Sequence, residues 1–255
     1  MTQKGLPKRV WITGGASGIG LATALKLART GVEVVLLDKD EAGLTGAQDA
    51  VSGEGGRVRI VPVDLTDPAA LAAAVEATGD AEGLVNCAGI YPVTPSLDMS
   101  VEEWDRVLSL NLRAPFLMTR SFAKKLIARK EGGAIVNISS TASVLARPGI
   151  AHYGASKAAL NQLTRVLAVE LAPHSIRVNA VLPGVIETET VKSSLTTPES
   201  LAEMAAKTAR IPMGRLGTPD EIADLVVFLL SDAAAYSTGG LFTADGGFSL
   251  GIARY

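Results

Sequence analysis

The chain has 255 residues, of which 47% are hydrophobic and 4% aromatic, and its formal net charge is -2; that is enough for one large α/β domain with an aliphatic core. Near-neutrality without a basic, aromatic-interleaved run argues against nucleic acid as a partner, and a single cysteine (Cys87) with two histidines excludes an internal disulfide and predicts no metal site. The opening "MTQKGLPKRV" lacks an apolar leader and no apolar run approaches the ~18 residues of a spanning helix, so the expectation is a cytoplasmic protein with no membrane partner.

Strand-like and helical patterns alternate from the start. "RVWIT" reads as a strand, "ATALKLART" as a helix that Gly31 should cap, and "VEVVLLD" as the next strand, which together make a βαβ unit. The alternation continues through "RVRIVPVD", "PAALAAAVEAT", "GLVNCAG", a long helical pattern over residues 100–130, "GAIVNISS", an alanine-rich helix around Tyr153, "IRVNAVLPG" and "GGLFTADGG". Repeated βα units predict a doubly wound parallel sheet with helices on both faces. No Pro- or Ser-rich linker divides the chain, so residues 1–255 are expected to form a single Rossmann-like domain. Residues 187–213 are polar and helix-prone, lie beyond an apparent strand end, and are expected to form a flap over the substrate.

Chemistry concentrates at a few places along this pattern. The first strand runs into "TGGASGIG", spaced T-G-x-x-x-G-x-G with Thr13, Gly14, Gly18 and Gly20, and a helix follows at once. Such a turn lets the backbone approach a pyrophosphate while the helix N-terminus offers unpaired N–H groups; alone, it could also be a plain strand-to-helix connection. Asp38 ends the second strand 18 residues after Gly20, where a carboxylate can bond adenosine ribose hydroxyls. Lys39 follows it and is expected to point to the opposite side. Tyr153 and Lys157 stand four apart on one helix face, which would bring an ammonium near a phenol and lower its pKa, or simply pair a half-buried tyrosine with a solvated lysine.

"TGGASGIG", "NCAG", "NISS", "YGASK" and "PGVIET" occur in the order and approximate spacing of the short-chain dehydrogenase/reductase family, which the chain resembles over nearly its whole length. The resemblance implies a Rossmann-like domain of about seven parallel strands and a catalytic set of Asn111, Ser140, Tyr153 and Lys157. Ser140 fits the family's interval to the tyrosine better than Ser139 or Ser143. It further implies NAD contacts from Gly14, Ser17, Gly18, Ile19, Gly20, Asp38, Asp64, Leu65, Asn86, Ala88, Gly89, Tyr153, Lys157, Pro183, Gly184, Ile186 and Thr188. Tyr153 would exchange the substrate proton, Lys157 would lower its pKa and hold the nicotinamide ribose, Ser140 would orient the substrate oxygen, and Asn111 would support a water-mediated relay or merely bend its helix. Asp64 would lie beside the adenine, or cap a helix as Asp67 does before Pro68. A homotetramer is implied too, through helices around residues 101–130 and 156–171, with Phe116, Leu117, Leu163 and Val166 as contact or core residues.

Two features depart from the family pattern. Cys87 replaces an asparagine in the usual Asn-Asn-Ala-Gly and is expected to pack as a small hydrophobe, and the segment from Asp64 to Asn86 is short, which clips its helix. The expected activity is hydride transfer between NAD(H) and a small-molecule secondary alcohol or ketone, a sugar, polyol or cyclic alcohol. The alternatives are a 3-oxoacyl carrier-protein reductase, which would want NADPH and a basic docking patch such as Lys124, Lys125, Arg129 and Lys130, and a non-catalytic NAD-binding sensor.

Overall fold

In the computed structural model, which describes residues 5–194 and 196–251, the first βαβ unit comprises β1 (Arg9–Thr13), α1 (Gly18–Arg29) and β2 (Glu33–Asp38). Val10 and Ile12 of β1 face one side and Trp11 the other, the period-2 alternation of a strand, yet all three are fully buried. Burial on both faces is what a parallel sheet covered by crossover helices requires. Gly31, at φ 86°, ends α1 as its position predicts: its N–H and that of Thr30 bond back to Ala28 and Leu27.

The alternation continues with α2 (Glu41–Gly53), β3 (Val58–Pro62), α3 (Pro68–Ala77), β4 (Gly83–Asn86), α4 (Val101–Leu108), α5 (Ala114–Arg129), β5 (Gly133–Ile138), α6 (Ala151–Leu171) and β6 (Ile176–Pro183). It closes with α7 (Glu189–Ser194), α8 (Pro198–Thr208), α9 (Pro219–Leu230) and β7 (Leu241–Ala244). The seven strands form one all-parallel sheet in the order β3-β2-β1-β4-β5-β6-β7. Helices α1, α2 and α9 cover one face over Leu27, Leu36, Val51 and Val226; α3, α5 and α6 cover the other over Leu71, Leu84, Phe122 and Leu167. Trp11 meets Phe122 edge-on at 5.4 Å in the second core. The strand order reverses between β1 and β4, so a crevice opens there at the carboxyl ends of the strands.

Two differences from the sequence pattern bear on function, the turn at Asn111 and helix α9. The pattern over residues 100–130 is not one regular helix: Ser109–Arg113 forms a π-helical turn between α4 and α5, with Ala114 N–H bonding Ser109, and it carries Asn111. The expected flap over 187–213 consists of α7 and α8, with Leu195 outside the described residues; α8 buries none of its side chains fully. Helix α9 was unread although "TPDE" announces it, since Thr218 and Glu221 form a capping box with Pro219 in the first turn. The short α3 is capped by Asp67, which accepts from Ala69 and Ala70 N–H. No helix among the described residues is long and apolar enough to cross a membrane.

Candidate active site

The glycine-rich turn is built by close approach. Gly14, at φ 68°, donates to Leu37 O at 2.8 Å, and a Cβ on it would stand 2.8 Å from the Ala88 backbone. A Cβ on Gly20 would meet Gly14 O at 2.0 Å, so a side chain there would force α1 off β1. Thr13 Oγ1 accepts from Cys87 N (3.0 Å) and Ala88 N (3.2 Å), tying this turn to the end of β4. Ser17, the N-cap of α1, makes no side-chain capping bond and the first turn holds no acid, whereas α2, α3, α4, α8 and α9 are capped by Asp40, Asp67, Ser100, Thr197 and Thr218. The α1 N-terminus therefore presents backbone donors and a favourable dipole to an anion. A dinucleotide pyrophosphate fits this cradle, where any side chain at Gly14 would intrude.

The turn opens onto a cavity of about 540 Å³. Of the expected cofactor residues, Gly14, Ser17, Gly18, Ile19, Asp38, Asp64, Leu65, Ala88, Gly89, Tyr153, Lys157, Pro183, Gly184, Ile186 and Thr188 line it. Gly20 and Asn86 do not. Gly20 acts through helix–turn packing, and Asn86 is buried with its amide donating to Asn137 Oδ1 (2.8 Å) and Thr119 Oγ1 (3.2 Å), which stitches β4 to β5 and α5. Asp38 accepts from Ala16 N (3.3 Å) and Asp40 N (3.2 Å). Lys39 does not point away as expected: it stands past the last residue of β2, beyond the pleat's alternation, and lines the cavity, where its charge helps to hold the Asp64 carboxyl below the usual range behind the larger effect of the Thr66 hydrogen bonds. Asp64 does not cap α3; its Oδ1 accepts from Thr66 N and Oγ1 at 2.8 and 2.7 Å. Arg106, Leu110 and Ile90 also line the cavity, and no motif in the sequence signalled them.

Ser140, Tyr153 and Lys157 line the same cavity. Ser139 Oγ turns to the Lys157 backbone carbonyl (3.2 Å) and Ser143 Oγ is bonded by Ser140 O and Asn161, which leaves Ser140 as the serine beside Tyr153. Burial pushes the Tyr153 phenol up to about 12, opposed by its hydrogen bond with Ser140. The expected influence of Lys157 is not the one at work here: its Nζ donates to Ile138 O at 2.8 Å and stands 5.7 Å from the Tyr153 ring centroid, and burial lowers the lysine itself to about 8. Asn111 is fully buried and outside the cavity lining. Its amide makes a two-way bond with the Ile90 backbone, 2.9 Å each way, and donates to Ser156 Oγ at 3.3 Å. A Cβ on Gly89 would be 3.2 Å from Asn111 Oδ1 and 3.6 Å from Lys157 Nζ, so a side chain there would press on the Asn111 amide. Cys87 packs against the core where it borders the cavity, and burial raises its thiol to about 12.

A brace joining distant segments holds Tyr153. The N-cap of α6, Ile150, offers no side-chain acceptor; instead fully buried His152 accepts the Tyr153 N–H at Nδ1 (2.9 Å). That fixes the ring proton on Nε2, which donates to Glu103 Oε1 at 2.9 Å. The same carboxylate oxygen accepts from Thr94 Oγ1 at 2.7 Å, so α4, the 91–94 segment and the Tyr153 helix are locked together.

The family described as enoyl-(acyl carrier protein) reductase matches residues 14–249. An L-rhamnose 1-dehydrogenase (NAD(P)(+)) of Azotobacter vinelandii is 37% identical, over 97% of this chain and 98% of its own. A cyclopentanol dehydrogenase of Comamonas sp. is 38% identical over 95% and 97%. The crystal structure of a short-chain type dehydrogenase/reductase from Mycobacterium marinum superposes with a TM-score of 0.87 at 35% identity, covering 94% of this chain and 95% of that one. The chain belongs to the short-chain dehydrogenase/reductase family. It is thus an oxidoreductase of the nicotinamide-dependent kind that acts on secondary alcohols or ketones.

Proposed function

We propose that this short-chain dehydrogenase/reductase passes hydride between NAD(H) and a sugar, polyol or cyclic secondary alcohol or ketone, as a single Rossmann-like domain with α7 and α8 as a substrate flap. The reading is carried by one observation: Ser140, Tyr153 and Lys157 line the same cavity as Asp38 and the glycine cradle. The cofactor, when bound, supplies the hydride acceptor or donor. The cradle at Gly14, Ser17 and Gly18 would hold its pyrophosphate, Asp38 the adenosine ribose, and Ile186 and Thr188 the carboxamide.

In oxidation, the Tyr153 oxygen takes the hydroxyl proton while the carbinol C–H bond gives up its electron pair as hydride; in reduction, Tyr153 returns the proton to the forming alkoxide. The Ser140 hydroxyl orients the substrate oxygen and stabilises its charge. One Lys157 proton is engaged by Ile138 O, and the remaining two are available to the nicotinamide ribose and the proton path. Asn111 acts by fixing Ile90 and Ser156 beside them.

Asp38 supports NAD over NADP, because a 2'-phosphate would bring a second anion to its carboxylate. The expected penalty is ~3–4 kcal/mol, a preference of a few hundredfold. Carrier-protein reduction draws less support: in the basic run Lys125 is paired with Glu76 (3.1 Å) and Arg129 with Asp80 (2.7 Å) and Glu131 (2.9 Å), which leaves two of its four cations, Lys124 and Lys130, for a docking face. A sensor role would not need Ser140, Tyr153 and Lys157 together. Steady-state rates with NAD and NADP on wild type and Asp38→Ala test the cofactor assignment: the mutant should bind NAD more weakly and lose most of the discrimination, with Lys39 near enough to assist a phosphate. A wild type that prefers NADP would contradict it.

A further inference from the structure

Beside the cavity, against the lining residue Tyr91, stands a cation that the proposed chemistry leaves unused. Arg147, in the loop before α6, donates from Nη1 to the Tyr91 hydroxyl, and its guanidinium carbon lies 5.7 Å from the Tyr91 ring centroid. Tyr91 lines the cavity and stands edge-on to Tyr153 with ring centroids 4.6 Å apart. One aromatic ring therefore separates the guanidinium from the proton-transferring group. Because the Tyr91 oxygen accepts from Arg147, its own proton remains free to be donated, and two donors are available side by side.

The acid facing this pair does not saturate it. Glu203 of α8 stands with Oε1 3.8 Å from Arg147 Nη2, beyond hydrogen-bond distance, and the same oxygen is held by Lys207 at 2.7 Å. Both Arg147 and Glu203 are exposed, so their attraction is weak. The carboxylates that line the cavity itself are Asp38, bonded by Ala16 N–H beside the glycine turn, and Asp64, bonded by Thr66, so Glu203 is the one acid placed against Arg147 among the described residues.

We infer that Arg147 is a specificity residue that receives a substrate carboxylate, assisted by the Tyr91 hydroxyl, so that the preferred alcohols and ketones are hydroxy and keto acids. This rests on the alcohol–ketone reading above. The planar guanidinium fork matches a carboxylate in shape and charge, and the group that faces it in this structure is itself a carboxylate. Glu203 competes for the fork, which ties substrate entry to the position of α8.

The test compares kcat/KM, by nicotinamide absorbance, for a homologous series of secondary hydroxy acids against their methyl esters, with wild type, Arg147→Met, Arg147→Lys and Glu203→Gln. NAD affinity and thermal melting of each variant report folding. The wild type should favour acids. The acid-to-ester ratio should fall by about tenfold or more in Arg147→Met, fall less in Arg147→Lys, and rise in Glu203→Gln as the competing carboxylate is removed. If Arg147→Met fails to fold, the other two variants carry the comparison. Esters preferred by the wild type, or a ratio that none of the substitutions moves, would overturn the inference while leaving the alcohol–ketone reading intact. Turnover of neither series by a wild type that binds NAD and oxidises neutral sugars, polyols or cyclic alcohols would overturn this inference alone; turnover of none of these would overturn the alcohol–ketone reading and this inference with it.

Discussion

Tyr153 and Lys157 are both displaced toward their neutral forms, the tyrosine up to about 12 and the lysine down to about 8, and burial is the leading cause for each. For Tyr153 this keeps the proton donor fully populated at neutral pH and the base scarce. Ketone reduction should therefore hold its rate near pH 7, whereas alcohol oxidation should climb steadily as pH rises toward 10; pH–rate profiles in the two directions check this. Lys157 has a consequence for stability. A folded pKa below the unfolded 10.5 means that the unfolded chain binds the proton more tightly, so the buried cation costs roughly 3 kcal/mol below pH 8, and that cost fades as pH rises through 8 to 10.5. Lys157→Met removes it but orphans the Ile138 carbonyl, at ~1–3 kcal/mol. Urea unfolding without cofactor should show the variant more stable than wild type by up to about 2 kcal/mol at pH 7 and no more stable at pH 10. A variant destabilised at both would show that the contacts around the Lys157 ammonium offset its burial and that it carries no such cost.

Among the elements, α6 shows where sequence stops being informative. Its Tyr-x-x-x-Lys spacing is a local matter of helix periodicity, and the structure sets both side chains at the cavity. Its brace is not local: Glu103 lies 49 residues from His152, and nothing in either segment announces the pairing. The same division holds elsewhere. The order of strands and helices was legible because parallel strands buried on both faces write continuous apolar runs, and the glycine turn because close approach excludes side chains. The π turn at Asn111, the inward reach of Lys39 and the Asn86–Asn137 bond depend on tertiary packing and were not. Removing the brace should move the helix that carries Tyr153. His152→Ala is expected to lower kcat by about tenfold or more with NAD affinity little changed, and His152→Asn, which restores an acceptor for the Tyr153 N–H, should recover most of the loss. Equal damage in both variants would make His152 a packing residue only.

For the molecule as a whole, the sheet brings five separated motifs to one crevice, because the strand order reverses between β1 and β4 and all strands end on the same side. The outer helices extend the account to assembly. Phe116, Val166 and Val169 on α5 and α6 remain exposed, whereas Leu117 and Leu163, expected as contact or core residues, pack against the core. We propose that the exposed set pairs two copies as part of a homotetramer, and light scattering at micromolar concentration should give four times the monomer mass; a monomer would contradict it. NAD-linked proton and hydride exchange through Tyr153 in this crevice is tested by nicotinamide absorbance over a broad panel of secondary alcohols and ketones, run with NAD and NADP on wild type and Tyr153→Phe, with cofactor affinity measured alongside. The wild type should turn over with NAD favoured by a few hundredfold, and Tyr153→Phe should bind NAD normally yet turn over ~10²–10⁴-fold more slowly. Near-normal turnover in that variant, or a wild type that binds NAD and turns over nothing in the panel, would contradict it.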